Sequence, residues 1–281
     1  MGNQRATGDL DARIAFAQDR TTAPMELFEL ASDPSVLVRA AVAARPDAPA
    51  QALRPLVRDR DRTVREAVAG NPATSPVNLL RLVGDTDRKV RWAVAGNPGC
   101  DAAVRQKMAK AQDKELRGLL AEMPALEPEL AAILIDDVSP EVRERLARHT
   151  HDLEVISTLL RDRTVRVRKG LAINERTTAE QRHQLAQDSS PDVRATLVRA
   201  VELDEADLRD LLHDRSVEVR RSMATSDVVP PHIRQELEKD DDETVAADAR
   251  RHRGSEAADA TAPAPRVGHR RAVATRFPGR T

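Results

Sequence analysis

An arginine that returns at an almost constant interval constrains this chain more than any other feature. It stands at Arg13, Arg39, Arg65, Arg91, Arg117, Arg143, Arg168, Arg194 and Arg220, usually preceded by valine. The step is 26 residues throughout, except for one 25-residue step between Arg143 and Arg168. A further unit follows at Val245-Ala246, where the arginine is lost. Self-similarity at a fixed period of this size specifies a stacked-repeat architecture. One such unit cannot bury its own apolar face, so neighbouring units must bury it for each other.

Physical reading of one unit, Asp59 to Gly84, gives two helices. Asp59 is predicted to cap the first by accepting from free backbone N–H groups. Val64, Ala67 and Val68 share one helical face at i, i+3, i+4. Gly70-Asn71-Pro72 stops the helix, since Asn tolerates a left-handed backbone and Pro cannot continue the ladder. Ser75-Pro76 opens a second helix with a hydroxyl cap and a first-turn proline. Leu79 and Leu82 then form its apolar side.

The same columns recur elsewhere. The aspartate column runs Asp33, Asp59, Asp85, Ala111, Asp137, Asp162, Asp188, Asp214, Asp240, broken once. The second-helix column reads Leu30, Leu56, Leu82, Met108, Leu134, Leu160, Leu185, Leu211, Leu237. Three residues after each arginine stand Phe16, Val42, Val68, Val94, Leu120, Leu146, Leu171, Leu197 and Met223. The expected fold is therefore all-α, a solenoid of about nine two-helix repeats over residues 9–253. A polar lead at 1–8 precedes it, and a disordered basic tail at 254–281 follows. The unit around Arg117 is unusually apolar, with Leu116, Leu119, Leu120 and Met123, which suits a central packing layer or an exposed seam. After Arg143 the stop proline disappears from its column, which predicts a different turn in the later units.

Composition fits thin helical layers and narrows the function. Aromatic residues are 1% of the chain, with one Trp and no Tyr. The 45 basic residues nearly balance 46 acidic ones, which argues against a general polyanion binder and leaves local patches. A lone Cys100 excludes an intramolecular disulfide and a cysteine metal cluster. Met1 to Asp11 lacks an apolar signal core, and the longest apolar run, Leu130 to Ile135, is too short to span a bilayer. The expectation is a cytoplasmic protein with no membrane partner.

Val64-Arg65-Glu66-Ala67-Val68-Ala69-Gly70-Asn71-Pro72-Ala73-Thr74, and nearly as well Val90 to Pro98, resemble the leucine-rich repeat variant family, a relative of HEAT-type helical repeats. The resemblance covers roughly residues 8–250. It implies a right-handed superhelix alternating an α-helix with a shorter, often 3₁₀, helix. The founding member carries an iron–sulfur cluster in a cysteine-rich segment. With one cysteine here, neither that cluster nor any other cofactor is expected. The resemblance implies no particular activity.

Two groups of side chains are candidates for partner binding. Arg62, Arg88 and Lys114 share a column three before the ladder arginines, and Trp92 lies one turn after Arg88. Trp92 shares its column with Ile14, Ala40, Glu66, Gly118, Glu144, Lys169, Ala195 and Arg221, a mixture that suggests exposure. An exposed Trp among bases suits a binding hot spot, and a solvated helix start is the bland alternative, because Asp61, Asp87 and Asp113 stand beside the bases. The second group is Arg163, Arg166 and Lys169 in the short unit. The arginine column itself is expected to pair with aspartates of its own or a neighbouring unit. Catalysis finds no support: the His residues lack metal-ligand spacing, His149-x-His151 suits a solvated loop, and no Gly-rich phosphate loop or G-x-S-x-G occurs. The expected function is a non-catalytic scaffold for a protein or peptide partner. The alternative is nucleic-acid binding, in the manner of HEAT-like DNA-repair proteins, through basic patches and the tail.

Overall fold

The computed structural model of the chain describes residues 9–123 and 126–261. Helices alternate from one end to the other. The first repeats contain α1 (Leu10–Gln18), α2 (Pro24–Leu30), α3 (Val36–Ala44), α4 (Ala50–Leu56), α5 (Arg62–Gly70) and α6 (Pro76–Leu82). The middle repeats contain α7 (Arg88–Ala95), α8 (Ala102–Ala109), α9 (Lys114–Ala121), α10 (Pro128–Ile135), α11 (Pro140–His149) and α12 (Leu153–Leu159). The last contain α13 (Val165–Ala172), α14 (Ala179–Ala186), α15 (Pro191–Ala200), α16 (Glu205–Leu212), α17 (Val217–Ala224), α18 (Pro231–Glu236) and α19 (Glu243–Thr261). Odd-numbered helices pack on odd, and even on even over most of the length, giving two rows. No strand occurs among the described residues.

The chain is thus an all-α repeat solenoid, and its periodic apolar columns form one continuous interior. Leu56, Leu82 and Leu134 are at most 2% exposed. Val38, Val64, Val90, Leu116, Val142, Val167, Val193 and Val219, each one residue before a ladder arginine, are equally buried. The apolar unit around Arg117 is a packing layer: Leu116 and Leu120 are fully buried, and Leu119 and Met123 half-buried.

Several local expectations need correction. The column residue of the short unit is Leu159, which is buried, and Leu160 is only half-buried. That places the missing residue in the turn between α11 and α12. The even helices are short α-helices; the one 3₁₀ stretch among the described residues is Leu237–Lys239, continuing α18. Asp61, not Asp59, caps α5, accepting from the Thr63 N–H at 2.8 Å. Ser75 occupies the N-cap of α6 without a side-chain cap bond, and the neighbouring Thr74 hydroxyl donates to the Val68 carbonyl. Helix α19 runs to Thr261, beyond the expected limit at 253, while the lead at 1–8 and the tail from 262 lie outside the described residues.

Two polar ladders stitch the repeats at opposite ends of the odd helices. In the first, each arginine reaches forward to the aspartate of the next repeat. Arg39 Nε and Nη2 donate to the two carboxylate oxygens of Asp59 at 2.6 and 3.0 Å, and its Nη1 donates back to the Asp33 carbonyl at 2.8 Å. Arg65–Asp85, Arg117–Asp137, Arg168–Asp188, Arg194–Asp214 and Arg220–Asp240 repeat this twofold geometry. The planar guanidinium fork suits such a carboxylate, and a lysine would not reproduce it. Each aspartate also accepts from the N–H two residues on, as Asp59 does from Asp61. Asp59 was therefore unavailable for capping: its oxygens are committed to the ladder. Where Ala111 breaks the column, Arg91 pairs with Asp113 instead, and Arg117 still donates to the Ala111 carbonyl.

The second ladder was not anticipated. Asn71 is extended (φ −76°, ψ 123°), not left-handed. Its amide donates to the carbonyls of Ala43 and Arg45, at the C-terminal end of the preceding odd helix, both at 2.6 Å. Asn97 does the same for Ala69 and Asn71, and Asn174 for Ala147 and Thr150. Arg45 and Ser226 hold the same position in their repeats and donate to Ala17 and Asp19, and to Val198, respectively. Helix ends leave their last carbonyls without intrahelical partners, and these side chains satisfy them from the next layer.

Helices α11 and α13 approach closely where Gly170 faces α11. A Cβ there would lie 2.9 Å from the Glu144 carbonyl oxygen and 3.2 Å from the Ala147 Cβ. The obstacle is backbone, so it cannot swing aside. Gly170→Ala is expected to lower stability by about 1 kcal/mol, because overpacking costs about 1–3 kcal/mol and helix propensity returns about 1. Urea denaturation checks this; a variant more stable than the parent would contradict the close approach.

Candidate binding surfaces

The candidate residues fall on three separate places. Arg62 begins α5 and Arg88 begins α7, each just after its capping aspartate. Arg88 lies over the Trp92 ring, 5.2 Å from its centroid, and Trp92 remains 37% exposed. The exposure expected for Trp92 is present, but one ring face is already occupied by a cation. Arg62 pairs with Glu66 at 3.3 Å and lies 3.8 Å from Asp87. Lys114 lies 3.8 Å from Glu141 of the following repeat.

Arg166 and Lys169 sit on α13, on the exposed face of the odd row, and Arg163 does not join them. Arg166 pairs with Glu144 and lies 3.4 Å from Glu141. Lys169 lines a shallow groove with Arg166, Glu144, Arg148 and Asp192. Arg163 lies in the loop before α13, exposed. Sequence proximity had grouped them; the helix start between Arg163 and Arg166 separates them onto a loop edge and a helix face.

The exposed face of the odd row is therefore laced by ion pairs between layers. Arg145 continues the network, bonding Glu115 at 2.8 Å and Glu122 at 3.3 Å. Its side chain lies against Gly118, the Trp92 column position in the next repeat, where a Cβ would meet Arg145 atoms at 2.8 Å. The small residue in that column makes room for a long side chain from the neighbouring layer.

Burial pushes the carboxyls of Asp59, Asp85, Asp113, Asp162 and Asp214 upward, but hydrogen bonds from the ladder arginines and backbone N–H groups outweigh it. All five are held below the usual carboxylate range. For Asp240 the Arg220 bond is the largest influence, with the same outcome. The ladder charges are thus spent inside the fold. His149 and His151 are exposed. His183 Nδ1 donates to the Asp207 carboxylate at 2.5 Å, which raises the imidazole pKa, and the Gln187 amide nitrogen lies 3.0 Å from its Nε2. No group of three or more metal-ligating side chains forms among the described residues. No helix among them is long and apolar enough to cross a membrane.

These features define an α-solenoid of two-helix repeats, joined by an arginine–aspartate ladder and an asparagine ladder. Among solved structures the chain is similar to a leucine-rich repeat variant with a novel repetitive protein structural motif, at 26% identity over 81% of each chain and a TM-score of 0.47. It is also similar to an engineered protein at 14% identity, over 82% of this chain and 96% of that one, with a TM-score of 0.17. No protein-family profile and no curated protein matches the chain.

Proposed function

We propose that this chain is a non-catalytic, cytoplasmic scaffold that binds a protein or peptide partner along the concave surface that stacked repeats create. One observation carries this reading. Buried columns hold the same kind of residue in every layer, whereas the Trp92 column varies in kind and in burial, from exposed Trp92, Lys169 and Arg221 through half-buried Ala40, Glu66 and Glu144 to buried Gly118 and Ala195. A constant interior with a varied exterior is what a recognition surface requires. Nucleic-acid binding is the second reading, favoured by exposed loop cations such as Arg163. The scarcity of rings that could stack on bases weighs against it.

The full chain, used as bait in nuclease-treated extract at about 0.15 M ionic strength, is expected to recover a discrete protein. Recovery that depends on intact nucleic acid and falls steeply with salt would favour the second reading. Trp92 gives an independent signal, since no other Trp or Tyr is present.

A further inference from the structure

A groove runs along the loops that lead from the even helices into the odd ones, across the second, third and fourth repeats. Its two parts, 890 and 770 Å³, share Gly84 and Asp85. Three carboxylates line it, and each is already bound to a ladder arginine: Asp59 to Arg39, Asp85 to Arg65, Asp113 to Arg91. Five exposed cations remain: Arg58, Arg60, Arg81, Lys107 and Lys110. None of the five makes an ion pair with a described residue; Lys107 donates to the Leu80 carbonyl. This contrasts with Arg62, Lys114 and Arg166 on the odd face, which all meet carboxylates.

The floor of the larger part is apolar, formed by Val83, Ala103 and Ala111. Ala111 is the one break in the aspartate column. Its methyl stands where other layers carry a bound carboxylate, and Arg91 is drawn aside to Asp113. The break in the repeat and the uncompensated positive charge therefore occur at one place.

We infer that this groove is a binding site for an extended acidic peptide segment with an apolar side chain seated over Ala111. The inference rests on the scaffold reading above. Adjacent helices pack roughly 8–10 Å apart, and an extended peptide advances about 3.3 Å per residue, so one layer matches about three residues. A carboxylate at every third position meets Arg58 and Arg60, then Arg81, then Lys107 and Lys110. Charge complementarity selects an acidic segment, and the apolar floor favours a peptide over a phosphate backbone. No aromatic side chain lines the groove to stack on a base.

The test is fluorescence anisotropy on the full chain at about 0.15 M ionic strength. The probe is a labelled peptide of roughly nine residues built from Glu-Leu-Glu repeats, compared with a Lys-Leu-Lys peptide and with oligothymidylate of matched charge. The acidic peptide is expected to bind and the basic one not. Arg58→Glu with Arg81→Glu is expected to weaken binding at least about tenfold, or 1.4 kcal/mol. Ala111→Asp restores the column residue and is expected to weaken binding similarly without lowering the melting temperature. Binding undiminished in both variants would place the peptide elsewhere, overturning the groove and leaving the scaffold reading intact. Failure of the acidic peptide to bind overturns the inference. Oligothymidylate binding that these variants abolish overturns the inference and the choice of a protein partner together.

Discussion

Leu82→Asp is expected to unfold several adjacent layers. Leu82 is 2% exposed and stands in the unbroken column shared by Leu56, Met108 and Leu134. Removing its side chain alone costs about 2–5 kcal/mol, and a carboxylate in that position adds the penalty of a buried group with no partner. The sum exceeds what one layer contributes, because each repeat is stable only through its neighbours. Circular dichroism should show a large loss of helical signal at temperatures where the parent is folded, or a melt split into two steps. An unchanged melt would remove the basis for the stacking order.

Asp162→Ala is expected to cost about 3–5 kcal/mol, because it leaves the Arg143 guanidinium buried without its carboxylate. Arg143 is only 6% exposed, and its Nε lies 2.7 Å from Asp162. The double variant Arg143→Met with Asp162→Leu removes both charges and is expected to recover to within about 1–2 kcal/mol of the parent. The residual comes from the donor lost by the Asp137 carbonyl, which Arg143 serves at 2.6 Å, and the acceptor lost by the Thr164 N–H, which Asp162 serves at 2.8 Å. Chemical denaturation of the parent, the single and the double variant checks this; equal losses in both would mean packing, not charge, decides. The ladder also sets the acid response. The folded carboxyls of Asp59, Asp85, Asp113, Asp162, Asp214 and Asp240 are depressed. Their stabilisation is complete above the unfolded value of about 4 and is lost as pH falls through the folded values.

The interior was legible because each buried column repeats, so a position ambiguous in one unit is fixed by the others. Leu160 escaped that check: counting from Arg143 leaves the missing residue free anywhere up to Asp162, and Leu159-Leu160 fits either register. Pairing of the arginines with aspartates followed from their common step. Its direction did not, since the aspartate of the same unit, six residues upstream, is nearer in sequence than that of the next unit, 20 downstream. Asn71 was read through its own turn, although its partners, Ala43 and Arg45, lie 28 and 26 residues earlier. The recurrence of Asn71, Asn97 and Asn174 in one column was the available signal. The basic groove left only a faint periodic trace: Arg81 and Lys107 share one column, and Arg58 and Lys110 another with Gly84 between them. Arg60 stands in a third column, and only stacking brings the three columns to one edge.

The arginine ladder has a direction in time as well as in space. Arg39, Arg65 and Arg194 each find their carboxylate 20 residues downstream. At roughly 5–20 residues per second, a repeat leaves the ribosome in about 1–5 s, far longer than a helix takes to form. Each nascent layer thus waits, its guanidinium still in water, until the next aspartate emerges and closes it, so synthesis fastens the chain from its first repeat toward its last.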